Sequence, residues 1–505
     1  MRHSLLEMLT ALSIQLILDA LRDLQLSENI MNRTKHISLR LATFFRHTIA
    51  AIMLVATTTA ASLNAANQDE DSRNGHPPNI VLILADDLGY GDIGCFGQKT
   101  LKTPRLDAMA AQGMRFTQFY AGCTVCAPSR CVLLTGKHGG RAVVRGNSTD
   151  PIVIQPDQPT IASVLKKAGY TTACIGKWGV GTPDNFTNPN DVGFDHFYGY
   201  INMWHAHNSY PEFLFRNGKV EPLKNVVAEK WKPLQDPKLP QGGRGVAETK
   251  VQYAPDLFIE DAMNFIRENR QGPFFLYFAM NVPHANNEAG KAGMEVPDLG
   301  EFADKDWPEP EKGFAAMIRN IDRDCGRIID LLQELKIDEQ TLVIFTSDNG
   351  PHAEGGHDAD FFDSNGPLRG IKRDLTEGGI RVPTIAWWPG AVKAGSEDDA
   401  HWYFGDVIAT VAELAQVDPP QDIDSDSFAG PLRGTPREKR WNRQSNMYWE
   451  FYERGSAQAV RFGKWKAIRK PMFTGDIELY DMSNDAGEKH DYSKRRPDLT
   501  RHAAN

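Results

Sequence analysis

A chain of 505 residues with 41% hydrophobic content is long enough to bury a substantial core, and two domains are expected rather than three or more. Its net charge of -9 excludes a general nucleic-acid binder, which carries a basic excess or stripe, and leaves anionic small substrates to a local cationic pocket. Six cysteines spread over such a length exclude a disulfide scaffold.

Residues 1–66 read as an N-terminal extension with a signal peptide. Arg40 and Arg46 precede the apolar run Ile49 to Ala56, and small residues through Ala65 and Ala66 supply the cleavage region. That run is short for a membrane span, so an exported, periplasmic or secreted protein without a stable span is expected. The leucine-rich stretch from Leu5 to Leu26 serves no export signal, which makes Met31 an alternative start.

A polar linker, 67–78, leads to Asn79-Ile80-Val81-Leu82-Ile83-Leu84-Ala85, a continuous apolar run of the kind that forms a strand buried on both faces of a parallel sheet. Asp86-Asp87 follow it. Thr103-Pro104 opens a short helix that Gly113 closes. In Cys126-Ala127-Pro128-Ser129-Arg130, Pro128 is preset for a first helical turn. Cys126 is therefore expected just before a helix N-terminus, where backbone N–H groups favour an anion, with Arg130 four residues on. A buried structural cysteine is the competing reading of that stretch alone. Cys123 and Cys126 also form a C-x-x-C, but Thr124-Val125 leads into Pro128 rather than a clean helix, which disfavours a thioredoxin-like site.

A helix from about Thr160 and a strand from Thr171 to Ile175 end at Gly176-Lys177-Trp178. Phe194 to Tyr210 is rich in aromatics and histidines. It and the Lys/Pro/Gly loop to about Gly245 read as an insertion over a binding face, with Tyr198, Tyr200, Trp204, Tyr210 and Asn208 a candidate sugar-stacking wall or, equally, loop core. Asp256 to Asn269 reads as a helix and Phe274 to Met280 as a strand before Pro283-His284. A long helix from Phe314 to Leu335 then leads to the strand Leu342 to Thr346 and Ser347-Asp348-Asn349-Gly350.

Alternation of helix and strand makes the class α/β, a large mostly parallel sheet flanked by helices over residues 79–390. Residues 391–505 are expected to form a smaller α+β domain with an antiparallel sheet built from runs near 447–451, 458–462, 465–469 and 478–481.

Ligands of open α/β sheets bind at the carboxyl ends of the strands. There the chain places Asp86-Asp87, Lys177, His284 and Asp348-Asn349, a shared site rather than four separate turns. Three carboxylates and an amide carbonyl suit a hard divalent cation, Ca²⁺ ahead of Mg²⁺. His205-Ala206-His207 lacks a third ligand and is assigned to the substrate loop rather than to zinc. Gly89-Tyr90-Gly91-Asp92-Ile93-Gly94 fits a dinucleotide fingerprint, yet Asp86, Asp87 and Asp92 stand where a pyrophosphate would approach. In the glycine-rich run from Arg369 to Pro383, Lys372 is the residue expected to point inward.

Cys126-Ala127-Pro128-Ser129-Arg130 with Leu134-Thr135-Gly136 resembles the C-x-P-S-R…T-G signature of the type I sulfatase family of the alkaline phosphatase superfamily, whose cysteine is oxidised to formylglycine. Asp86-Asp87, Gly176-Lys177-Trp178, Pro283-His284, Ser347-Asp348-Asn349-Gly350 and the Arg369 to Pro383 run add to the resemblance, which extends from Asn79 to the C-terminus. It implies a sulfuric ester hydrolase acting on a sulfated carbohydrate or aryl sulfate. It further implies a formylglycine-generating enzyme as maturation partner, and a metal on Asp86, Asp87, Asp348, Asn349 and residue 126. Arg130 would steady the hydrated aldehyde, Lys177 and Lys372 would bind sulfate oxygens, and His284 would protonate the departing alcohol. Many relatives read Gly-Lys-Trp-His, whereas Gly179 stands at the fourth position here. His138, His205, His207 and His352 are the candidates for the missing histidine. A phosphate or phosphonate monoester hydrolase and a catalytically silent glycan-binding protein are the alternative functions.

Overall fold

The structure, a computed structural model, describes residues 77–147, 153–182, 188–435 and 446–504. The expected extension and signal peptide lie outside them. Among the described residues no helix is long and apolar enough to cross a membrane.

Ten strands form one sheet: β1 (Asn79–Ala85), β2 (Met114–Tyr120), β3 (Thr171–Lys177), β4 (His196–Tyr200), β5 (Phe213–Arg216), β6 (Lys219–Pro222), β9 (Phe274–Ala279), β10 (Thr341–Ser347), β11 (Thr384–Trp387) and β12 (Ser396–Tyr403). A short ribbon of β7 (Val226–Val227) and β8 (Ala247–Thr249) stands apart. The order across the large sheet is β12-β2-β11-β10-β1-β9-β3-β4-β5-β6. Its centre, β10-β1-β9-β3-β4, is parallel. Antiparallel pairings lie on either side, β10 with β11 and β11 with β2 on one, β4 with β5 and β5 with β6 on the other. The sheet is therefore mixed about a parallel core.

Every residue of β1, β9 and β10 is buried, because helices cover both faces. Val81 and Ile83 pack with residues of helices Pro104–Gln112, Ala254–Asn269 and Glu309–Glu334. Ile80, Leu82 and Leu84 face the opposite cluster, which includes residues of helices Cys126–Thr135, Ile161–Lys167 and Asp406–Leu414. The strict alternation along β1 is the two-residue period of a strand serving two cores.

The large layers run past the boundary expected at residue 390. β12 pairs in parallel with β2, and helix Asp406–Leu414 contributes to the same core as helix Cys126–Thr135. The four-stranded antiparallel sheet is β13 (Met447–Phe451), β14 (Ala457–Phe462), β15 (Trp465–Arg469) and β16 (Ile477–Asp481), close to the expected runs. It is anchored by the fully buried Trp449, whose indole N–H donates to the Ala121 carbonyl at 2.8 Å. Lys466, also fully buried, joins Glu377 at 3.0 Å and Glu488 at 2.9 Å.

Candidate active site

Register decides which side chains meet. Asn79 pairs with Thr341 and Ala85 with Ser347, so β1 and β10 end side by side and Asp86-Asp87 lie against Asp348-Asn349. On the other flank Leu84 pairs with Ala279, and Ala279 with Gly176, which sets Lys177 one residue beyond the same level. Gly176 is required there: at φ 107 a Cβ would lie 1.9 Å from the Ala279 carbonyl oxygen. The crossing is locked by backbone bonds from Asp348 N–H to the Ala85 carbonyl and from Asp86 N–H to the Val282 carbonyl, both 3.1 Å.

All five residues expected to carry the chemistry and all the expected metal ligands come together at this edge. Lys177 Nζ lies 2.6 Å from Asp86 Oδ2, and Lys372 Nζ 2.7 Å from Asp87 Oδ2. Arg130 reaches Asp348 through Nε at 2.9 Å and Nη2 at 2.8 Å, with Asp86 Oδ2 at 3.6 Å. His284 Nε2 stands 3.6 Å from Asp87 Oδ2 and 3.4 Å from Lys372 Nζ, while its Nδ1 donates to the Ala285 carbonyl at 2.7 Å. Asn349 Nδ2 donates to Asp87 Oδ1 at 2.7 Å. Lys372 is only 2% exposed, so the inward lysine is the expected one.

Cys126 is the first residue of helix Cys126–Thr135, one position further in than expected, with Val125 as the extended N-cap. Burial pushes its thiol pKa up and Lys177 offsets only part of this, so a neutral thiol is favoured. Asn147, which no sequence motif marked, accepts from Ala127 N–H at 3.1 Å, and its Nδ2 lies 3.4 Å from Cys126 Sγ.

The charges have identifiable consequences. Burial pushes Asp86 up, but Lys177, His284 and Arg130 outweigh it and hold the carboxylate ionised. Asp87 is held low in the same way, with Lys372 as its main counter-charge. Asp348 is pushed up to about 7 by burial and by Asp86 beside it, an effect Arg130 only partly offsets. Glu354, six residues past Asp348 in the same loop and also missed in the sequence, bonds Lys372 at 3.1 Å and Arg373, and lies 3.8 Å from His284 Nε2.

The donor set fits a hard divalent cation. Asp86, Asp87 and His284 bring ligand atoms within 4.8 Å of one another. Asp86 Oδ1 and Asn349 Oδ1 are buried and make no hydrogen bond among the described residues, which leaves two oxygen donors for a cation.

Several expected roles fall away. Tyr198, Tyr200, Tyr210 and Asn208 are at most 4% exposed and belong to the core, so they are not a sugar-stacking wall; Trp204 alone of the group is partly exposed. His205 is buried against Phe213, 4.6 Å between ring centroids, and pairs with no metal-ligating partner. His138 packs on Tyr448 at 5.3 Å and lies 3.8 Å from Asp424, interactions away from the strand ends. His207 and His352 are the two candidates that lie beside His284, with ring centroids 4.9 and 6.2 Å away. At Gly179, φ 76, a Cβ would sit 3.4 Å from Arg130 Cδ and 3.6 Å from Lys177 Cε, so a side chain there would face the site, and glycine leaves that side unfilled. The loop at Gly89 and Gly91 packs against the backbone of Ser364 and Asp363, with Asp92 Oδ2 capping Gly89 N–H at 2.6 Å. That packing leaves no room for a pyrophosphate.

The family profile described as Sulfatase matches residues 78–417, two thirds of the chain. The chain belongs to the type I sulfatases. A second profile, the C-terminal part of N-sulphoglucosamine sulphohydrolase, matches 371–500. This sulfatase is 34% identical over 418 residues to rat N-acetylgalactosamine-6-sulfatase, covering 77% of the chain and 71% of the relative. It is 30% identical to an N-acetylgalactosamine-6-O-sulfatase of Bacteroides thetaiotaomicron, covering 87% and 94%. Among solved structures, Ps i-CgsB in complex with k-i-k-neocarrahexaose superposes with a TM-score of 0.68 at 27% identity, covering 85% of this chain and 91% of the other. Sulfated carbohydrates are the substrate class these relatives support.

Proposed function

We propose that this sulfatase removes sulfate from a saccharide related to N-acetylgalactosamine 6-sulfate, using formylglycine made from Cys126 and a bound Ca²⁺, after export to the periplasm or medium. The observation that carries this reading is the pairing of Lys177 and Lys372 with two adjacent buried aspartates beside the N-terminus of the Cys126 helix. A buried neutral thiol is a poor nucleophile and has no second hydroxyl from which to eliminate sulfate. Oxidised by a formylglycine-generating enzyme and hydrated, residue 126 supplies one hydroxyl to attack sulfur and another for that elimination. Asp86, Asp87, Asp348 and Asn349, with residue 126, would hold Ca²⁺, which supplies Lewis-acid polarisation of a sulfate oxygen and the nucleophile.

The remaining work falls to the chain's own groups. Lys177 and Lys372 are preset by their aspartates to offset charge on sulfate oxygens, and Arg130, tied to Asp348, steadies the hydroxyls at residue 126. His284 faces the leaving group through Nε2, since Nδ1 is committed to the Ala285 carbonyl. Burial first, and Lys372 beside it, lower the imidazole to about 3.

Three expected results test this reading directly. Purified enzyme should hydrolyse an aryl sulfate faster than the matching aryl phosphate, and a dominant phosphatase rate would sink it. His284→Ala should lower kcat by about 10²–10⁴-fold on a saccharide sulfate, and far less on 4-nitrophenyl sulfate, whose leaving group departs without a proton. Equal losses on both would remove His284 from the acid role. Chelation should lower both activity and the thermal midpoint, the latter by a few degrees, with Ca²⁺ restoring both better than Mg²⁺. An unmoved midpoint and rate would contradict the metal assignment.

A further inference from the structure

His207 and Glu288 form a polar pair that the chemistry above does not use. His207 lies in the turn after β4 and Glu288 in the segment after β9, so two separate connections meet at this pair. The His207 ring lies parallel to that of His284, 13° between planes and 4.9 Å between centroids. Its Nδ1 is 3.2 Å from Glu288 Oε2 and 3.4 Å from Oε1.

The pair is held from both sides. Asn281 donates to the Ala206 carbonyl at 3.2 Å, tying the end of β9 to the His207 turn. Asn286 accepts from Glu288 N–H at 3.2 Å and donates to the Gly245 carbonyl at 3.0 Å. Both side chains keep an opening to solvent, 13% exposed for His207 and 10% for Glu288.

A carboxylate can only accept, so Glu288 holds the His207 proton on Nδ1, and in that tautomer Nε2 is an acceptor. No partner for Nε2 is found among the described residues. An acceptor beside the leaving-group histidine, backed by a negative carboxylate, suits a neutral hydroxyl and repels a second sulfate or a uronate. We infer that His207, oriented by Glu288, is a specificity-determining residue that accepts a hydrogen bond from a free hydroxyl of the sugar bearing the scissile sulfate. The inference rests on the sulfatase reading and extends it to a ring that carries one sulfate and a neighbouring hydroxyl.

The test uses the full-length protein with His207→Ala, His207→Gln and Glu288→Gln. On the sulfated hexosamine, kcat/KM of His207→Ala should fall at least about 10-fold, the worth of one hydrogen bond to a desolvated partner, mainly through KM. On 4-methylumbelliferyl sulfate, which has no sugar hydroxyl, it should change less than about 3-fold. His207→Gln, which keeps an acceptor, should recover part of the loss, and Glu288→Gln should narrow the preference against a disulfated hexosamine. In a Cys126→Ala background, calorimetry should show the same weakening for the saccharide and none for inorganic sulfate. Equal losses on both substrates, or unchanged saccharide binding, would overturn the dyad while leaving the sulfatase intact. A wild type inert toward aryl sulfate would overturn both.

Discussion

Replacing Cys126 with alanine is expected to lower turnover of sulfate esters by at least about 10⁴-fold, because it removes the only precursor of the nucleophile and leaves the binding groups alone to act. The fold should survive. Cys126 opens its helix, and its Sγ contacts only Asn147 among the described hydrogen bonds, so truncation leaves a small gap rather than an uncompensated charge. Far-UV circular dichroism and the thermal midpoint of Cys126→Ala should stay close to wild type while steady-state rates collapse. Retained turnover would show that some other group attacks sulfur. Loss of both turnover and folding would instead identify Cys126 as the structural cysteine of the competing reading.

The largest stability effect is expected at Lys466, far from the strand ends in sequence. Its ammonium lies between Glu377 and Glu488, all three side chains fully buried. Burial pushes Glu377 up, yet Lys466, Arg381 and Arg461 outweigh it and hold it at about 2. Tyr120 donates to Glu377 at 2.8 Å and receives Arg461, so the cluster joins β2 of the large sheet to β14 and β15 of the small one. Breaking one partner of such a group leaves buried carboxylates unpaired and costs about 3–5 kcal/mol, whereas the intact group need not stabilise the fold over an apolar replacement. Lys466→Met should therefore lower the denaturant midpoint by that equivalent. The companion Lys466→Met, Glu377→Gln, Glu488→Gln triple variant should recover part of the loss. A single variant as stable as wild type would show that water reaches the cluster and screens it.

The site was readable in the sequence wherever a strand announced itself. β1, β9 and β10 are uninterrupted apolar runs because both of their faces are buried, so Asp86-Asp87 and Asp348-Asn349 directly after β1 and β10, and His284 five residues past β9, could be set on one edge without knowing the strand order. Lys177 joined that set as the end of the strand from Thr171, and the Cys126 segment through its motif. Residues outside any periodic element were not accessible in this way. Asn147 and Glu354 reach Cys126 and Lys372 from loops whose course depends on tertiary contacts, although the place of Glu354 in the loop of Asp348 was a usable signal.

The aromatic passage misled for a related reason. A density of tyrosines suits a sugar platform or a core equally well, and only the packing of β4 and β5 under helix Ala254–Asn269 decides for the core. Tyr200 is committed to the Asn208 carbonyl at 2.7 Å, and Tyr198 lies under Arg216 at 3.8 Å. The edges of the sheet carry no comparable signal. β11 and β12 are short or polar, and neither local propensity nor pattern tells whether such a strand runs with its neighbour or against it. Across the expected boundary at 390, β12 returns to pair with β2, a partner remote in sequence.

At Gly179 the chain departs from the motif of many relatives, and the geometry gives that departure a physical form. The position faces Arg130 and Lys177, and no side chain fills it from there. His207 and His352 pack beside His284 instead.

Whether residue 126 acts as an oxidised cysteine is read from the mass of the proteolytic peptide spanning Cys126, taken from enzyme that is turning over sulfate ester. The expected peptide has its thiol sulfur exchanged for oxygen with two hydrogens fewer, and forms an adduct with an aldehyde-trapping hydrazine. An unmodified thiol throughout a fully active preparation would contradict that role.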